Sequence, residues 1–161
     1  LAHPKKAKAL VPMNIVYQRT KAQQEAVLAR AKKVLVDGKV TGIDGTLSRW
    51  FADKTDPVSI GRIEKIKQWM GEVDPVGYGR TYQLFATSDD AFNGRLNQLL
   101  MPVLYLTGEN DPNSTLAMSK KMAAETPRGQ VAVVSGEAHM MAYINPEKVN
   151  RYIDEFLEKI E

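Results

Sequence analysis

The sequence predicts an α/β fold in which three parallel strands with covering helices are interrupted by a block of four helices. Two apolar runs, residues 102–108 and 130–136, have the length and composition of strands buried on both faces. A helical pattern follows each run, and this βαβα alternation is typical of a parallel sheet with right-handed crossovers. Between residues 20 and 100 the apolar residues recur at helical spacing, and no strand pattern interrupts them.

The composition places the chain among soluble globular proteins and excludes several classes of site. Of 161 residues, 43% are apolar and 25% are charged, with a net charge of only +3. The cations are scattered, which argues against a nucleic-acid partner. No cysteine is present, and two histidines are too few for a His-rich metal site, so we expect neither metal nor cofactor. With no membrane-length apolar run and no signal peptide visible, we expect a cytoplasmic protein without a membrane partner.

The first elements are a strand and a pair of helices. The apolar run Ala9–Asn14 predicts a strand, although Pro12 removes one donor from its hydrogen-bond ladder. Thr20 and Gln23 have the spacing of a capping box, and the helix that they open is expected to end at Gly38. Residues 42–51 predict a shorter second helix.

Two Asp-Pro pairs mark the next two helix starts. Asp56-Pro57 opens a helix whose apolar stripe runs up to Gly71, and Asp74-Pro75 opens another, spaced by aromatic residues. Residues 88–100 predict a polar connection. Beyond it, the strand of residues 102–108, a helix over 114–125 and the strand of residues 130–136 follow. Asn145-Pro146 caps a last amphipathic helix, with apolar residues at helical spacing up to Ile160.

Two residues that could act in acid–base catalysis follow the two apolar strands at matching positions. Asp111 and His139 each lie three residues after a glycine that ends a strand. Parallel strands end at one edge of the sheet, so these side chains can meet there. An Asp bonded to a His ring fixes its tautomer and makes the ring a general base. An Asp before Pro is, taken alone, more often a turn residue, and a His after a strand is more often a surface or core residue. We interpret Glu109 and Glu137 as solvated turn residues.

These segments resemble the C-terminal portion of an α/β-hydrolase. The resemblance is carried by PVLYLTGENDPNST at 102–115, VSGEAHM at 134–140 and NPE at 145–147. The helical block resembles the family's cap domain, and RWF at 49–51 and DPVGY at 74–78 are similar to cap segments of the 3-oxoadipate enol-lactonase and small carboxylesterase subgroup. The resemblance implies three segments: residues 1–18, the end of the helix after the nucleophile plus one core strand; 19–100, the cap; and 101–161, the core with the acid and His motifs.

The same resemblance implies hydrolysis of an ester, lactone or similar acyl bond of a small molecule, without a cofactor. Asp111 matches the family's catalytic acid and His139 its catalytic histidine. The nucleophile motif G-x-S-x-G does not occur; Ser48 follows Gly45 at the wrong spacing. We therefore expect the nucleophile and the N-terminal part of the fold to lie before Leu1, and the chain alone to be inactive.

Five further residues are candidates for a substrate pocket: Trp50, Phe51, Tyr78, Tyr82 and Met140. Their alternative role is packing, because aromatic and Met side chains commonly fill cores. An alternative function is also open, namely a non-catalytic binding or self-associating hydrolase-like fragment. Without a neighbour, the strand at 9–14 would leave an open sheet edge, which predicts self-association or pairing with a complementing N-terminal segment.

Overall fold

The computed structural model describes residues 3–160, which form two compact units. The sheet unit contains the described residues up to Tyr17, together with Arg49–Ala52 and the chain from Phe92 onward. The helical unit contains Gln18–Ser48 and Asp53–Ala91. Compared with the predicted segments 1–18, 19–100 and 101–161, the structure assigns residues 49–52 and 92–100 to the sheet unit.

The sheet has two regular parallel strands, β1 (Val103–Gly108) and β2 (Gly129–Val134). Val103 lies opposite Gly129 and the register continues to Gly108 opposite Val134. Every residue of β1 is buried, as the continuous apolar run predicts for a strand covered on both faces.

The segment at 9–14 lies beside β1 in parallel, but it forms two isolated bridges rather than a continuous strand. Leu104 N–H donates to the Leu10 carbonyl (2.9 Å), and Leu106 N–H donates to the Pro12 carbonyl (3.0 Å). Asn14 N–H then donates to the Leu106 carbonyl (3.0 Å). Pro12 has no N–H with which to continue the ladder between these bonds. The predicted order of three parallel segments is therefore present, with β1 in the middle.

The helices begin at the predicted caps. Thr20 forms a complete capping box with Gln23, and the side chains of Asp56 and Asp74 accept the N–H groups of Ser59 and Gly77. Gly38 ends the first helix in the left-handed conformation (φ 63°) that glycine adopts without strain. The helices are α1 (Lys21–Asp37), α2 (Ile43–Phe51), α3 (Pro57–Glu72), α4 (Pro75–Thr87), α5 (Leu116–Glu125), α6 (Met141–Ile144) and α7 (Pro146–Leu157).

The core of the sheet unit lies on both faces of β1, because successive strand residues point to opposite sides. Val103 and Tyr105 join one apolar cluster, which includes Met122 of α5. Leu104 and Leu106 join the other cluster, whose remaining buried members are Val134, Met141, Val149 and Phe156. Most of the amphipathic face predicted for the last helix is thus buried against the sheet, but Leu157, which the spacing also assigns to that face, is 41% exposed. Ile160 also packs there, although α7 itself ends at Leu157.

Four local features differ from the sequence prediction or add to it. The short helix α6, directly after His139, is not predicted, and the connection at 88–100 contains a 3-10 turn, Leu96–Gln98. Glu137 is 5% exposed, so its interpretation as a solvated turn residue is wrong. Of the predicted helix tail at 1–6, Leu1 and Ala2 lie outside the described residues, and Pro4–Lys6 form a 3-10 turn. Among residues 3–160, no helix combines the length and apolar composition needed to cross a membrane.

Candidate active site

Asp111 and His139 meet at the carboxyl edge of the sheet, in the loops that follow β1 and β2. His139 Nδ1 lies 2.8 Å from Asp111 Oδ2. The two loops begin on hydrogen-bonded neighbouring strands, so the sheet itself brings the side chains together. Their hydrogen bond is the geometry that the matching positions predict.

The Asp111 carboxylate accepts four hydrogen bonds and is completely buried, with 0% of its side chain exposed. Oδ1 accepts the backbone N–H groups of Asn113 (2.8 Å) and Ser114 (3.0 Å). Oδ2 accepts the Asn14 side-chain amide (2.7 Å) in addition to His139. A buried carboxylate is stable only when its oxygens are paired in this way.

The pKa of Asp111 reflects a competition between burial and hydrogen bonding. Burial by itself raises the pKa of this carboxyl. The hydrogen bonds from His139, the Ser114 N–H and Asn14, together with the charge of His139, outweigh burial and hold the pKa below its usual value. The group is therefore ionised at neutral pH.

Asp111 and Trp50 both contact the ring of His139. An ionised carboxylate only accepts hydrogen bonds, so Nδ1 of His139 is the donor, and in the neutral ring Nε2 holds the free electron pair. The Trp50 and His139 ring centroids are 5.6 Å apart, and the N–H of Met140 donates to the Trp50 carbonyl (3.1 Å). The His139 side chain is 25% exposed. The arrangement can act as a general base with fixed tautomer and orientation.

Hydrogen bonds join the acid loop (residues 109–115) to the histidine loop (residues 135–140). Asn110 N–H donates to the Glu137 carbonyl (2.8 Å). The Glu109 carboxylate accepts both the Ser135 hydroxyl (2.9 Å) and the Gly136 N–H (2.8 Å). The Gly136 and Ser135 hydrogen bonds lower the pKa of Glu109. These contacts fix the spacing of the two loops that carry the pair.

The five pocket candidates are distributed over both units. Trp50 and Met140 are half-buried beside His139, whereas Phe51 is only 1% exposed and packs in the interior. Tyr78 and Tyr82 belong to the helical unit, where their ring centroids are 5.7 Å apart. They line a cavity of about 40 Å³ there, and burial raises the pKa of Tyr78. Within the helical unit, that cavity has room for water rather than for a substrate.

The serines near the two motifs are engaged away from His139. Ser114 Oγ donates to the Asn14 carbonyl (2.7 Å) and Ser135 Oγ donates to Glu109. Within the described part of the chain, no three acidic or histidine side chains are grouped as ligands of a metal ion. The chemistry visible in these residues is acid–base chemistry.

A hydrolase and an enol-lactonase are similar in sequence to this chain, and both are longer than it. A hydrolase of (E)-2-((N-methylformamido)methylene)succinate from Acinetobacter baylyi is 36% identical over 160 residues, which are 98% of this chain and 59% of that protein. The 3-oxoadipate enol-lactonase 1 of the same organism is 26% identical over 133 residues, 83% of this chain and 49% of that enzyme. No protein-family model matches the chain.

The structure is similar to that of a thermophilic esterase from Thermogutta terrifontis. The TM-score is 0.84 at 23% identity, over 98% of this chain and 58% of the esterase. The chain has part of the α/β-hydrolase fold, as the sequence predicts, and it covers 58% of each of three solved structures. The resemblance to the C-terminal portion of enol-lactonases and related hydrolases is thereby confirmed, and the chain spans about 59% of the length of its relative with 36% identity.

Sequence reasoning missed Asn14 and Glu109 as neighbours of the pair. Asn14 could have been found from its position, because it ends the first apolar run and so lies at the same sheet edge as Asp111. Glu109 directly follows a strand, but the position of a single acidic residue in a turn does not predict that it binds the histidine loop. The contacts of Glu109 depend on a loop conformation that strand positions alone do not predict.

Proposed function

We propose that this chain supplies the general base and its orienting acid to a serine-type hydrolase that acts on an ester, a lactone or a similar acyl bond. The observation that carries the proposal is the hydrogen bond from His139 Nδ1 to the buried, fully hydrogen-bonded carboxylate of Asp111. The similarity to a succinate-derivative hydrolase and an enol-lactonase supports the choice of reaction class.

In the proposed reaction, His139 Nε2 takes the proton of a serine hydroxyl while that oxygen attacks the acyl carbon of the substrate. Asp111 keeps the proton on Nδ1 and stabilises the imidazolium that forms. The protonated ring then donates to the leaving oxygen, and water attacks the acyl-enzyme in a second cycle of the same kind. The serine is proposed to come from polypeptide outside these 161 residues, because they contain no G-x-S-x-G motif.

Specificity is proposed to come from the helical segment at 19–100, acting as a cap, and from the side chains around His139. Trp50 and Met140 are the candidates that lie beside the ring. The proposed substrate is a small molecule with one susceptible acyl bond.

The decisive experiment measures hydrolysis of a nitrophenyl ester by the complete open reading frame and by the 161-residue chain. The complete protein should show saturable turnover, which His139→Ala and Asp111→Asn each reduce by about 10³-fold or more. His3→Ala, the chain's other histidine, is the matched control and should retain full activity. The 161-residue chain should show no turnover above its own His139→Ala variant. Full activity in the His139→Ala complete protein would refute the assignment.

A second candidate function, self-association without catalysis, is favoured by the outer edge of the segment at 9–14. Its bonds to β1 use backbone groups of Leu10, Pro12 and Asn14. The intervening groups of Val11 and Met13 face away, and they have no backbone partner among residues 3–160. The missing N–H of Pro12 is on the inner side, so the proline does not protect this edge.

The occupant that we propose for this edge is the same edge of a second copy. Sedimentation velocity of the 161-residue chain should then show a dimer or larger species, and Met13→Lys should shift the population towards monomer. Val36→Lys, which places the same charge at an exposed apolar position of α1, is the control and should leave the distribution unchanged. A wild-type chain that is monomeric at micromolar concentration would exclude this second function.

A further inference from the structure

We propose that Asn14 is a positioning residue of the site: its side-chain amide holds Oδ2 of Asp111 in the orientation that His139 requires. This inference rests on the proposed function, because it assigns a role in the same acid–base pair. The amide nitrogen lies 2.7 Å from Oδ2, the oxygen that also accepts His139 Nδ1 at 2.8 Å.

Asn14 is fixed in place by its backbone as well as by its side chain. Its N–H donates to the Leu106 carbonyl (3.0 Å) in β1, and its carbonyl accepts the Ser114 hydroxyl (2.7 Å). The residue has a φ of 48°, a left-handed conformation in which Asn is among the best-tolerated residues other than glycine. Two hydrogen bonds, one to β1 and one to the acid loop, thus hold the backbone from which the amide reaches the carboxylate.

Asn14, Ser114 and Asp111 form a closed set of hydrogen bonds. Ser114 gives its N–H to Oδ1 of Asp111 (3.0 Å) and its hydroxyl to the Asn14 carbonyl. Asn14 completes the set through Oδ2. Both carboxylate oxygens are therefore tied to groups that are themselves held, and rotation of the carboxylate away from His139 would break several hydrogen bonds at once.

The amide suits this position because it donates without carrying a charge or titrating. A cation at this place would compete with the imidazolium of His139 for the carboxylate, whereas a second carboxylate would repel Asp111. The Asn14 hydrogen bond also contributes to lowering the pKa of Asp111. It therefore supports both the ionised state of the acid and its direction.

The test is nuclear magnetic resonance of the 161-residue chain, which has only two histidines. The ¹⁵N shifts of the ring nitrogens report whether His139 carries its neutral proton on Nδ1, and His3 is the internal reference. Asn14→Gly removes the amide but keeps a residue that accepts the left-handed backbone. Gln18→Gly is the control: it also introduces glycine at a left-handed position (φ 49°), but in the helical unit.

The expected result is that Asn14→Gly lowers the Nδ1–H fraction of His139 and shifts the pKa of Asp111 upward, while Gln18→Gly changes neither. The Asp111 carboxyl signal is identified by its loss in Asp111→Asn. Asn14→Asp, which keeps the side-chain shape but replaces the donor by a carboxylate, should raise the pKa of Asp111 further by like-charge repulsion. If both Asn14 variants fold and leave the His139 and Asp111 signals unchanged, the proposal is overturned.

Three other outcomes are also decisive. If both Asn14 variants unfold while Gln18→Gly does not, Asn14 has a structural role and the positioning role is rejected. If Asp111→Asn leaves the ring nitrogens of His139 unchanged, the acid–base pair itself is absent, and the proposed function fails together with this inference. If the ring-nitrogen shifts of His139 change in Asp111→Asn but not in Asn14→Gly, only the proposal about Asn14 is overturned.

Discussion

Gly108 packs directly against the backbone of Glu137, so closely that a Cβ atom at position 108 would lie 2.6 Å from the Glu137 carbonyl oxygen. The carbonyl oxygen of Ala138 lies on the same side. Only a glycine allows this approach. It brings the start of the acid loop against the histidine loop, where Asn110 N–H reaches the Glu137 carbonyl and Asp111 reaches His139.

Replacement of Gly108 by alanine should therefore separate the two loops. Because the atoms in the way belong to the backbone, the clash cannot be relieved by rotating a side chain. We expect Gly108→Ala to lower the free energy of unfolding by about 2–3 kcal/mol and to reduce the Nδ1–H fraction of His139. Urea unfolding measures the first effect and ¹⁵N resonance the second.

Gly61→Ala is the matched control. Gly61 lies within α3, and a Cβ atom there would meet no other atom within 4 Å. Alanine is the better helix former, so this variant should be more stable by about 0.5–1 kcal/mol. A Gly108→Ala variant as stable as wild type, with His139 unchanged, would show that the loops do not depend on this close approach.

Glu109 should protect the histidine loop from local opening. Its carboxylate accepts the Gly136 N–H, and the hydrogen bonds to Gly136 and Ser135 lower its pKa below the ordinary 4.5. In wild type, the Gly136 amide should therefore exchange more slowly than in the unfolded chain at the same pH, down to pH 4.5. This protection should be lost only as the pH falls through the lowered pKa of Glu109. In Glu109→Gln the charge is gone, so faster exchange is expected throughout the range.

Glu155→Gln on α7 serves as the control for Glu109→Gln, since Glu155 is exposed and distant in sequence from both loops. It should leave exchange at Gly136 unchanged. Equal exchange in wild type and Glu109→Gln would mean that the Glu109 bonds contribute nothing to the order of the loop.

The strands, their parallel order and the meeting of Asp111 with His139 could be predicted because each follows from local sequence. Continuous apolar runs ending in glycine indicate buried strands, and parallel strands end at one edge. Helix starts at Thr20, Asp56 and Asp74 were equally local, because a capping side chain and its N–H partner lie within three residues.

The features that could not be predicted depend on contacts between segments far apart in the chain. Glu137 looks like a solvated turn residue, yet its loop folds back against the acid loop and buries it. The sheet edge that Asn14 shares with Asp111 follows from the sequence, but their hydrogen bond joins residues 97 apart and depends on the left-handed backbone of Asn14. The four-residue helix α6 is too short to show helical periodicity in the sequence. Its buried residue, Met141, packs against the sheet.

The helical unit contains a buried ion pair whose loss should be costly. Arg19 Nε donates to Asp89 Oδ1 (2.8 Å) and Nη2 to Oδ2 (2.6 Å), and only 4% and 3% of these side chains are exposed. Arg19→Leu leaves a buried carboxylate without its partner, so we expect the free energy of unfolding to fall by about 3–5 kcal/mol. The double variant Arg19→Leu/Asp89→Leu should recover part of this loss.

The exposed pair of Lys33 and Asp37 provides the comparison for Arg19 and Asp89. Its atoms are 2.7 Å apart, but 61% of the lysine side chain is exposed. Lys33→Leu should therefore change stability by less than about 1 kcal/mol. Urea unfolding of wild type, the two single variants and the double variant measures these free energies. A loss of stability in Arg19→Leu no larger than that in Lys33→Leu would contradict the expectation that burial makes the Arg19–Asp89 pair costly to break.

Asp111 should make the stability of the folded chain depend on pH. Its folded-state pKa lies below the ordinary value of 3.8, so its contribution to stability is complete above that pH and is lost as the pH falls through the folded pKa. Asp111→Asn removes the charge to which four donors point, and at pH 7 it should cost about 2 kcal/mol or more. The difference between wild type and Asp111→Asn should then shrink below about pH 4. Asp154→Asn, on the exposed side of α7, should follow the wild-type curve. A difference between wild type and Asp111→Asn that stays constant from pH 7 to pH 3 would show that the carboxylate is not stabilised in the folded state, and the orienting role of Asp111 would lose its physical basis.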